Sequence, residues 1–518
     1  MLARITAAQV VGLKADIVEV EVDIAKGLHS FNIVGLPDKA VEEAKDRITA
    51  AIKNSGFPSP QKSNKKVIVS LAPADLKKEG PAFDLAIALA YLRATKAINF
   101  DAEDKLFVGE LALDGRVRSI RGALMIARRA KQAGIRELYL PAANAAEAAL
   151  IRGLTVFGVR SLRALCFHLS PLDDPKTGEP VVGPKLPPTP PTEIVYRREE
   201  YGSDFAEVRG QPTAKRGLEI AAAGGHNIAM FGPPGTGKTM LAKAFRSILP
   251  SLDFEAVLEV TGIHSAAGLL ESALLTEPPF RSPHHTSSYV SLVGGGNWPK
   301  PGEITLAHHG VLFLDEFPEF EKRVLEALRQ PLEDRVIHVA RARGTMRFPA
   351  NFILVAAMNP CPCGNRGSRG KECVCSQAAL ERYSRRLSGP IIDRIDLWLE
   401  VGQVAPEKLS AAAAAEEASA AVRERVLAAR EIQRRRFGEK AALRVNSEMG
   451  ARELRQFAPL SPLVTKLLND SAGRLNLSAR AYHRVIKLAR TIADLANQEN
   501  ISENHLLEAL QYRPKLSF

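Results

Sequence analysis

The sequence predicts an α/β protein in which a mixed first domain precedes a parallel-sheet core that ends in a helical region. Three observations carry this. Apolar runs at 227–231, 311–314 and 352–358 are short and continuous, as strands of a sheet covered on both faces are. The first of these leads through a glycine-rich stretch, 232–239, into 240–245, which reads as a helix. A stretch at 169–192 carries Pro171, Pro175, Pro180, Pro184, Pro187, Pro188, Pro190 and Pro191, which cannot bury a core and should be extended or disordered.

The implied division is a first domain at 1–168, a linker at 169–192, a core at 193–402 and a helical domain at 403–518. In the first domain, 17–24 alternates as a strand, and 67–71 is a second strand. Between them Val41, Ala44, Ile48 and Ile52 fall at helical spacing. Near the C-terminus Ala481, Val485, Leu488, Ile492 and Leu495 mark one amphipathic helix, and Ser502 is placed to cap a last short one.

With 518 residues, 46% hydrophobic and 25% charged, the composition is that of an ordinary globular protein of several domains. No apolar run approaches the ~18 residues of a membrane span. Lys14, Asp16 and Glu19 interrupt the first 22 residues, which argues against a signal peptide, so a cytoplasmic location is expected. The net charge of +12 favours a polyanionic partner without specifying one. Arg423, Arg425, Arg430, Arg434, Arg435 and Arg436 stand against only Glu424 and Glu431, and read either as a contact for such a partner or as a solvated helix face.

The stretch Gly232-Pro233-Pro234-Gly235-Thr236-Gly237-Lys238-Thr239 fits G-x-x-x-x-G-K-[ST], the phosphate-binding loop. Its glycines let backbone N–H groups close around phosphates, Lys238 reaches the terminal phosphates and Thr239 offers a hydroxyl to Mg²⁺. The strand at 311–314 ends in Asp315, suited to hold Mg²⁺, and Glu316, suited to polarise an attacking water. Asn359 follows the strand at 352–358 and could orient that water. Arg394 is a cation suited to a γ-phosphate of a neighbouring subunit, and Arg480 opens the amphipathic helix where it could meet phosphate. Cys361, Cys363, Cys373 and Cys375 form two C-x-C pairs around Gly364, Gly367 and Gly370. They read as zinc ligands or as reduced thiols in a surface loop, and Cys166 reads as a core residue.

Taken in this order, the loop, the paired carboxylates, Asn359, Arg394 and Arg480 resemble the AAA+ superfamily of ring-shaped ATPases. Within it, Phe280-Arg281-Ser282-Pro283-His284-His285-Thr286, Gly294-Gly295-Gly296, Pro301-Gly302-Glu303-Ile304 and Ala357-Met358-Asn359-Pro360-Cys361-Pro362-Cys363-Gly364 resemble the Mg-chelatase-like ATPases of the YifB/ComM family. So does Phe31-Asn32-Ile33-Val34-Gly35-Leu36-Pro37-Asp38 near the N-terminus. The resemblance implies a homo-hexameric motor that uses ATP and Mg²⁺ to migrate DNA branches during natural transformation. Single-stranded and branched DNA, and recombination proteins, would be its partners, with no membrane. It also makes 335–348 similar to a hairpin of helicase relatives, with Arg341 and Arg343 on one strand face and Gly344 in the turn. A solvated surface hairpin is the competing reading. The segment 262–298 resembles the family's inserted element. There His284 and His285, if on a strand, would point to opposite faces and share no ion.

The first domain resembles the proteolytic domain of Lon in Lys78-Glu79-Gly80-Pro81-Ala82-Phe83 and from Gly109-Glu110-Leu111 through Arg121-Gly122. The nucleophile position falls on Ala82 and the base position on Leu124. Neither can do the chemistry, which leaves assembly or DNA contact through Lys62, Lys65 and Lys66. A chelatase-type motor subunit and a remodelling ATPase that acts on something other than DNA are the alternative functions.

Overall fold

The computed structural model describes residues 2–514 except 29, 37, 61–64, 74–77, 79, 174–179, 182, 197–202, 271–273, 296–299, 342–343, 369–370, 405–415 and 439–442. The chain forms two compact units, Met1–Val195 with Val257–Leu275, and Tyr196–Ala256 with Thr276–Phe518. The division cuts through one helix, Phe254–Ala267, whose residues from Val257 onward group with the first unit. Gly262, where the inserted element was expected to begin, lies inside that helix.

In the first unit β1 (Leu2–Val11) and β2 (Lys14–Lys26) form an antiparallel hairpin. Val11 faces Lys14 across a two-residue turn in which Gly12 has φ +63°, a conformation that glycine adopts without steric cost. The strand predicted at 17–24 lies within β2, and Val18, Val20 and Val22 alternate into the core. After β3 (Ser30–Val34), helix α1 (Ala44–Asn54) buries Ala44, Ile48 and Ile52 as their spacing predicts. The strand predicted at 67–71 is β4 (Lys65–Ala72). Helix α2 (Asp84–Ala94) is apolar on every face and correspondingly buried on every face. Then follow β5 (Lys105–Phe107), α3 (Ala123–Gln132), β6 (Glu137–Pro141), β7 (Thr155–Val159) and α4 (Leu162–Leu169). The seven strands form one sheet in the order β3-β4-β2-β1-β5-β6-β7. Cys166, on α4, is fully buried in the core.

The proline-rich stretch is extended where it is described, but it is also held. Leu186 N–H donates to His168 Nδ1 (2.9 Å), Thr189 N–H to the Val156 carbonyl (2.7 Å) and Thr192 N–H to the Ala149 carbonyl (3.2 Å). Proline keeps the chain extended, and the residues between the prolines keep the N–H groups that fasten it to the first unit.

The second unit is built on a five-stranded parallel sheet. After α5 (Pro212–Gly224), its strands are β8 (Ile228–Phe231), β9 (Phe280–Arg281), β10 (Val311–Leu314), β13 (Ile353–Met358) and β14 (Leu397–Glu400). Their order across the sheet is β9-β10-β13-β8-β14. Between β10 and β13 the chain makes an antiparallel hairpin, β11 (Val336–Arg341) and β12 (Gly344–Pro349). Gly344, expected in the turn, is the first residue of β12 and faces Arg341. Register sets the site: Phe231 faces Met358, and Leu314 faces Ala356, so the carboxyl ends of the three central strands lie together.

Helices cover this sheet: α6 (Lys238–Ser247) directly after β8, α7 (Gln377–Ser384), and a C-terminal set of α8 (Ser419–Phe437), α9 (Pro462–Arg474), α10 (Ala479–Leu495) and α11 (Glu503–Gln511). Ser502 occupies the N-cap of α11, and its N–H donates to His505 Nδ1 (3.1 Å). The arginine-rich stretch lies on α8, where most of its charges face protein. Arg423 donates to Ser251, Arg430 to the Ala222 carbonyl and Arg436 to Asp494 and Asn446, while Arg425 pairs with Glu219 and Glu417. Arg434 and Arg435 are exposed but share Glu431. The stretch is therefore divided: Arg423, Arg430 and Arg436 fasten α8 to the rest of the unit, while Arg434 and Arg435 lie on a solvated face of the helix. No helix among the described residues is long and apolar enough to cross a membrane.

Candidate functional site

The loop 232–239 links the carboxyl end of β8 to the first turn of α6, so its N–H groups and the positive end of the helix face one space. A Cβ at Gly232 would meet the Val401 carbonyl oxygen at 2.0 Å, which restricts the position to glycine. Gly235 (φ +77°) and Gly237 (φ +93°) turn the loop, and a Cβ on either would meet only open space, so that side is free for a ligand. Thr236 Oγ1 donates to the Pro233 carbonyl (2.9 Å) and pins the loop from within.

Lys238 Nζ donates to the carbonyls of Gly232 (2.7 Å) and Pro233 (2.8 Å), and to Asn359 Oδ1 (3.3 Å). Burial holds its pKa below the ordinary lysine value, with Asp315 pulling the other way. Thr239 Oγ1 donates to Asp315 Oδ2 (2.8 Å), so the two groups expected on Mg²⁺ already adjoin. Asp315 Oδ1 accepts the N–H of Glu316 (2.9 Å), whose left-handed backbone (φ +52°) turns its side chain out from the strand end. The loop, Lys238, Thr239, Asp315, Glu316 and Asn359 thus converge. A triphosphate with Mg²⁺ fits this donor and carboxylate set.

Sequence reasoning missed one member. His285 Nδ1 lies 2.8 Å from Glu316 Oε2. His284 and His285 are not on a strand, as expected, but on an irregular segment after β9, and their rings lie 4.2 Å apart. His284 instead contacts Thr286 Oγ1 at 2.8 Å. The signal available in the sequence was a polar residue just beyond β9, which borders the carboxylate strand.

Arg394 and Arg480 are not at this site. The Arg394 carbonyl accepts from Asn227 Nδ2 (3.2 Å) and Arg484 (3.0 Å), which places it beside the residue that precedes β8. Four strand residues separate that end from the loop, about 13 Å. Arg394 pairs with Glu333 and donates to the Pro390 carbonyl (2.8 Å), and Arg480 reaches the same Glu333 at 3.4 Å. Together they line a cavity of about 480 Å³ with Arg335, Arg484 and Lys487, where Glu333, Asp334, Asp396 and Glu448 supply carboxylates in nearly equal number. The common partner, Glu333, gave no sign in the sequence.

The four clustered cysteines follow Asn359 directly. All four sulfurs lie within 4.8 Å of one another, and all are free thiols. Arg341 is the last residue of β11, but its side chain, and the whole of Arg343, lie outside the described residues. In the first unit, Ala82 sits in a short 3₁₀ turn and Leu124 is buried on α3, where its N–H donates to Glu147 Oε1 (3.1 Å).

A five-stranded parallel sheet that carries a phosphate loop, paired carboxylates and a polar residue on three adjacent strand ends defines a P-loop nucleotide-binding protein. Residues 204–409 match the family described as Magnesium chelatase, subunit ChlI; residues 20–144 match Subunit ChlI of Mg-chelatase, and 416–513 match Magnesium chelatase, subunit ChlI C-terminal. The chain is 44% identical over 508 residues to Uncharacterized protein YifB of Escherichia coli (strain K12), covering 97% of this chain and 95% of that one. It is 41% identical over 522 residues to Competence protein ComM of Haemophilus influenzae, covering 99% and 97%. A shorter match, 25% identical over 208 residues, joins 38% of the chain to 22% of the DNA replication licensing factor Mcm6 of Drosophila melanogaster. The chain belongs to the YifB/ComM family of Mg-chelatase-like AAA+ ATPases.

Proposed function

We propose that the protein is a cytoplasmic, ATP-driven DNA translocase that assembles as a homo-hexamer and migrates branched DNA during recombination of incoming strands. The convergence of Lys238, Thr239, Asp315, Glu316 and Asn359 on one loop carries the ATPase part. In that role Lys238 contacts the terminal phosphates, Thr239 and Asp315 hold Mg²⁺, Glu316 activates water and Asn359 orients it. Arg394 and Arg480 act on the nucleotide of a neighbouring subunit, which their place at the far end of β8 supports.

The DNA part rests on the β11–β12 hairpin, whose first strand ends at Arg341 two residues before Arg343 in the sequence, and on the names of two relatives, a competence protein and a DNA replication licensing factor. In the first unit, which resembles a Lon-type scaffold without its catalytic pair, Lys65 and Lys66 open β4 as exposed cations suited to phosphate; Lys62 lies outside the described residues. The test is the steady-state ATPase rate with and without single-stranded or branched DNA. Stimulation by branched DNA is expected.

A chelatase-type motor is the second reading, favoured by the description of all three matched families. A rate that DNA leaves unchanged would put that reading first.

A further inference from the structure

The four cysteines lie on a segment that touches the nucleotide loop. Cys361 to Cys363 is 3.4 Å between sulfurs, and Cys363–Cys373 and Cys373–Cys361 are each 3.7 Å. These separations are well beyond a disulfide bond. They match the edge of a tetrahedron of thiolates around one Zn²⁺, which at a Zn–S distance of ~2.3 Å is about 3.8 Å. Cys361 is fully buried, and the Arg366 N–H donates to its sulfur (3.4 Å), as backbone amides do where sulfur carries charge. Gly364 (φ +79°) and Gly367 (φ +79°) bend the chain between the pairs.

The placement of this cluster matters more than its ligands. A Cβ on Gly364 would stand 2.9 Å from Cδ and 3.2 Å from Cγ of Pro234, so the cysteine turn packs directly against the phosphate loop. Asn359, which accepts from Lys238, is two residues before Cys361, and its carbonyl accepts from Tyr383 Oη (3.1 Å) on the helix after the cysteines. Asn359 and Gly364 therefore contact the nucleotide loop at Lys238 and at Pro234, the Tyr383 hydrogen bond ties Asn359 to the helix after the cysteines, and the four sulfurs gather between them.

We propose that Cys361, Cys363, Cys373 and Cys375 bind one Zn²⁺ and that this metal clamp holds the phosphate loop and Asn359 in the nucleotide-binding arrangement. The clamp rests on the ATPase reading; the metal site does not. Zinc is a closed structural ion here, and its removal frees the turn that backs Pro234.

The test uses the full chain purified without chelator. Elemental analysis and thiol-dye release on denaturation should both give about one Zn²⁺ per subunit. Stripping the metal under reducing conditions should weaken binding of a fluorescent ATP analogue at least tenfold, and added Zn²⁺ should restore it. Cys373→Ser should lower metal content and nucleotide affinity together. Gly364→Ala should keep its zinc and still lose nucleotide affinity, because the added methyl meets Pro234. Lys238→Ala should bind zinc fully and nucleotide poorly, separating the two sites. Absence of zinc from the wild-type protein overturns the metal site. Unchanged nucleotide affinity in the stripped protein, or in Gly364→Ala, overturns the clamp. A zinc-loaded wild type that binds no nucleotide at all overturns the ATPase reading instead.

Discussion

Replacing Arg394 by Ala tests whether hydrolysis needs two subunits. Arg394 lies beside Asn227, at the amino end of β8, while the phosphate loop leaves the carboxyl end of that strand. The side chain cannot cross the ~13 Å of four strand residues past a packed sheet, so it cannot serve its own loop. Loss of a guanidinium acting in trans costs ~10³–10⁵ in turnover, roughly 4–7 kcal/mol of transition-state stabilisation. Nucleotide binding by each subunit should survive, because every loop contact remains. Lys238→Ala makes the opposite defect: the arginine is intact and the loop is crippled. In a ring formed from equal amounts of the two variants, one interface in four pairs an intact loop with an intact arginine, so activity should return to about a quarter of wild type if interfaces act independently. The assay is phosphate release from each variant alone and from the mixture, after subunit exchange. Near-wild-type turnover by Arg394→Ala, or a mixture no more active than its parts, would refute the argument.

Glu316→Gln should keep ATP and Mg²⁺ binding but lower kcat by ~10²–10⁴, since only the base is lost; tight nucleotide retention with slow phosphate release is the readout. Arg341→Ala with Arg343→Ala should leave basal ATPase intact and remove most DNA stimulation, and the salt dependence of DNA binding should flatten by about one log–log unit for each lost phosphate contact. Stability should fall in two stages on acidification. Burial alone would raise the Asp396 carboxyl, but Arg484 and His226 hold it well below the usual carboxylate range, and burial lowers the pKa of His226 despite Asp396. Both native pKa values lie below their unfolded values, so the stability they confer is full above ~6.5 for His226 and ~3.9 for Asp396, and declines as pH falls below each. Melting temperature between pH 3 and 8 should show both declines, and His226→Gln should remove the upper one.

The elements were legible because their causes are local. The strand at 227–231, the glycine loop and the helix after it could be placed from a short continuous apolar run and the phosphate-loop motif, and the observed β8 and α6 begin within one residue or two of the expected positions. The convergence of Asp315 and Asn359 on Lys238 was legible for the same reason, since each closes a buried strand of one parallel sheet. What could not be read were the partners of charged side chains. Six arginines in fourteen residues suggested a contact for a polyanion or a solvated face, yet Arg423, Arg430 and Arg436 are spent on partners more than fifty residues away in sequence. Glu333 was missed because an isolated Glu carries no period and no spacing, and His285, noticed beside His284, gave no sign of its partner; only the fold brings them to Arg394 and Glu316.

The shared use of Glu333 suggests how an isolated subunit is kept from committing its arginines. The Glu333 side chain is 44% exposed and Arg480 is 59% exposed, so their ion pair is screened by water and worth at most about 1 kcal/mol. Arg394 is more deeply placed, 9% exposed, but its partner is the same half-exposed carboxylate. A triphosphate from a neighbouring subunit offers more charge than one carboxylate, and a guanidinium binds phosphate oxygens in pairs. Under the proposed function, charge therefore favours exchange of Glu333 for phosphate, and until a neighbour presents its nucleotide the two arginines stay paired with Glu333. Glu333→Gln would remove that restraint at small cost to folding. Under the proposed mechanism its turnover should then depend less steeply on protein concentration than that of the wild type, because a ring would no longer have to displace a carboxylate to complete each site.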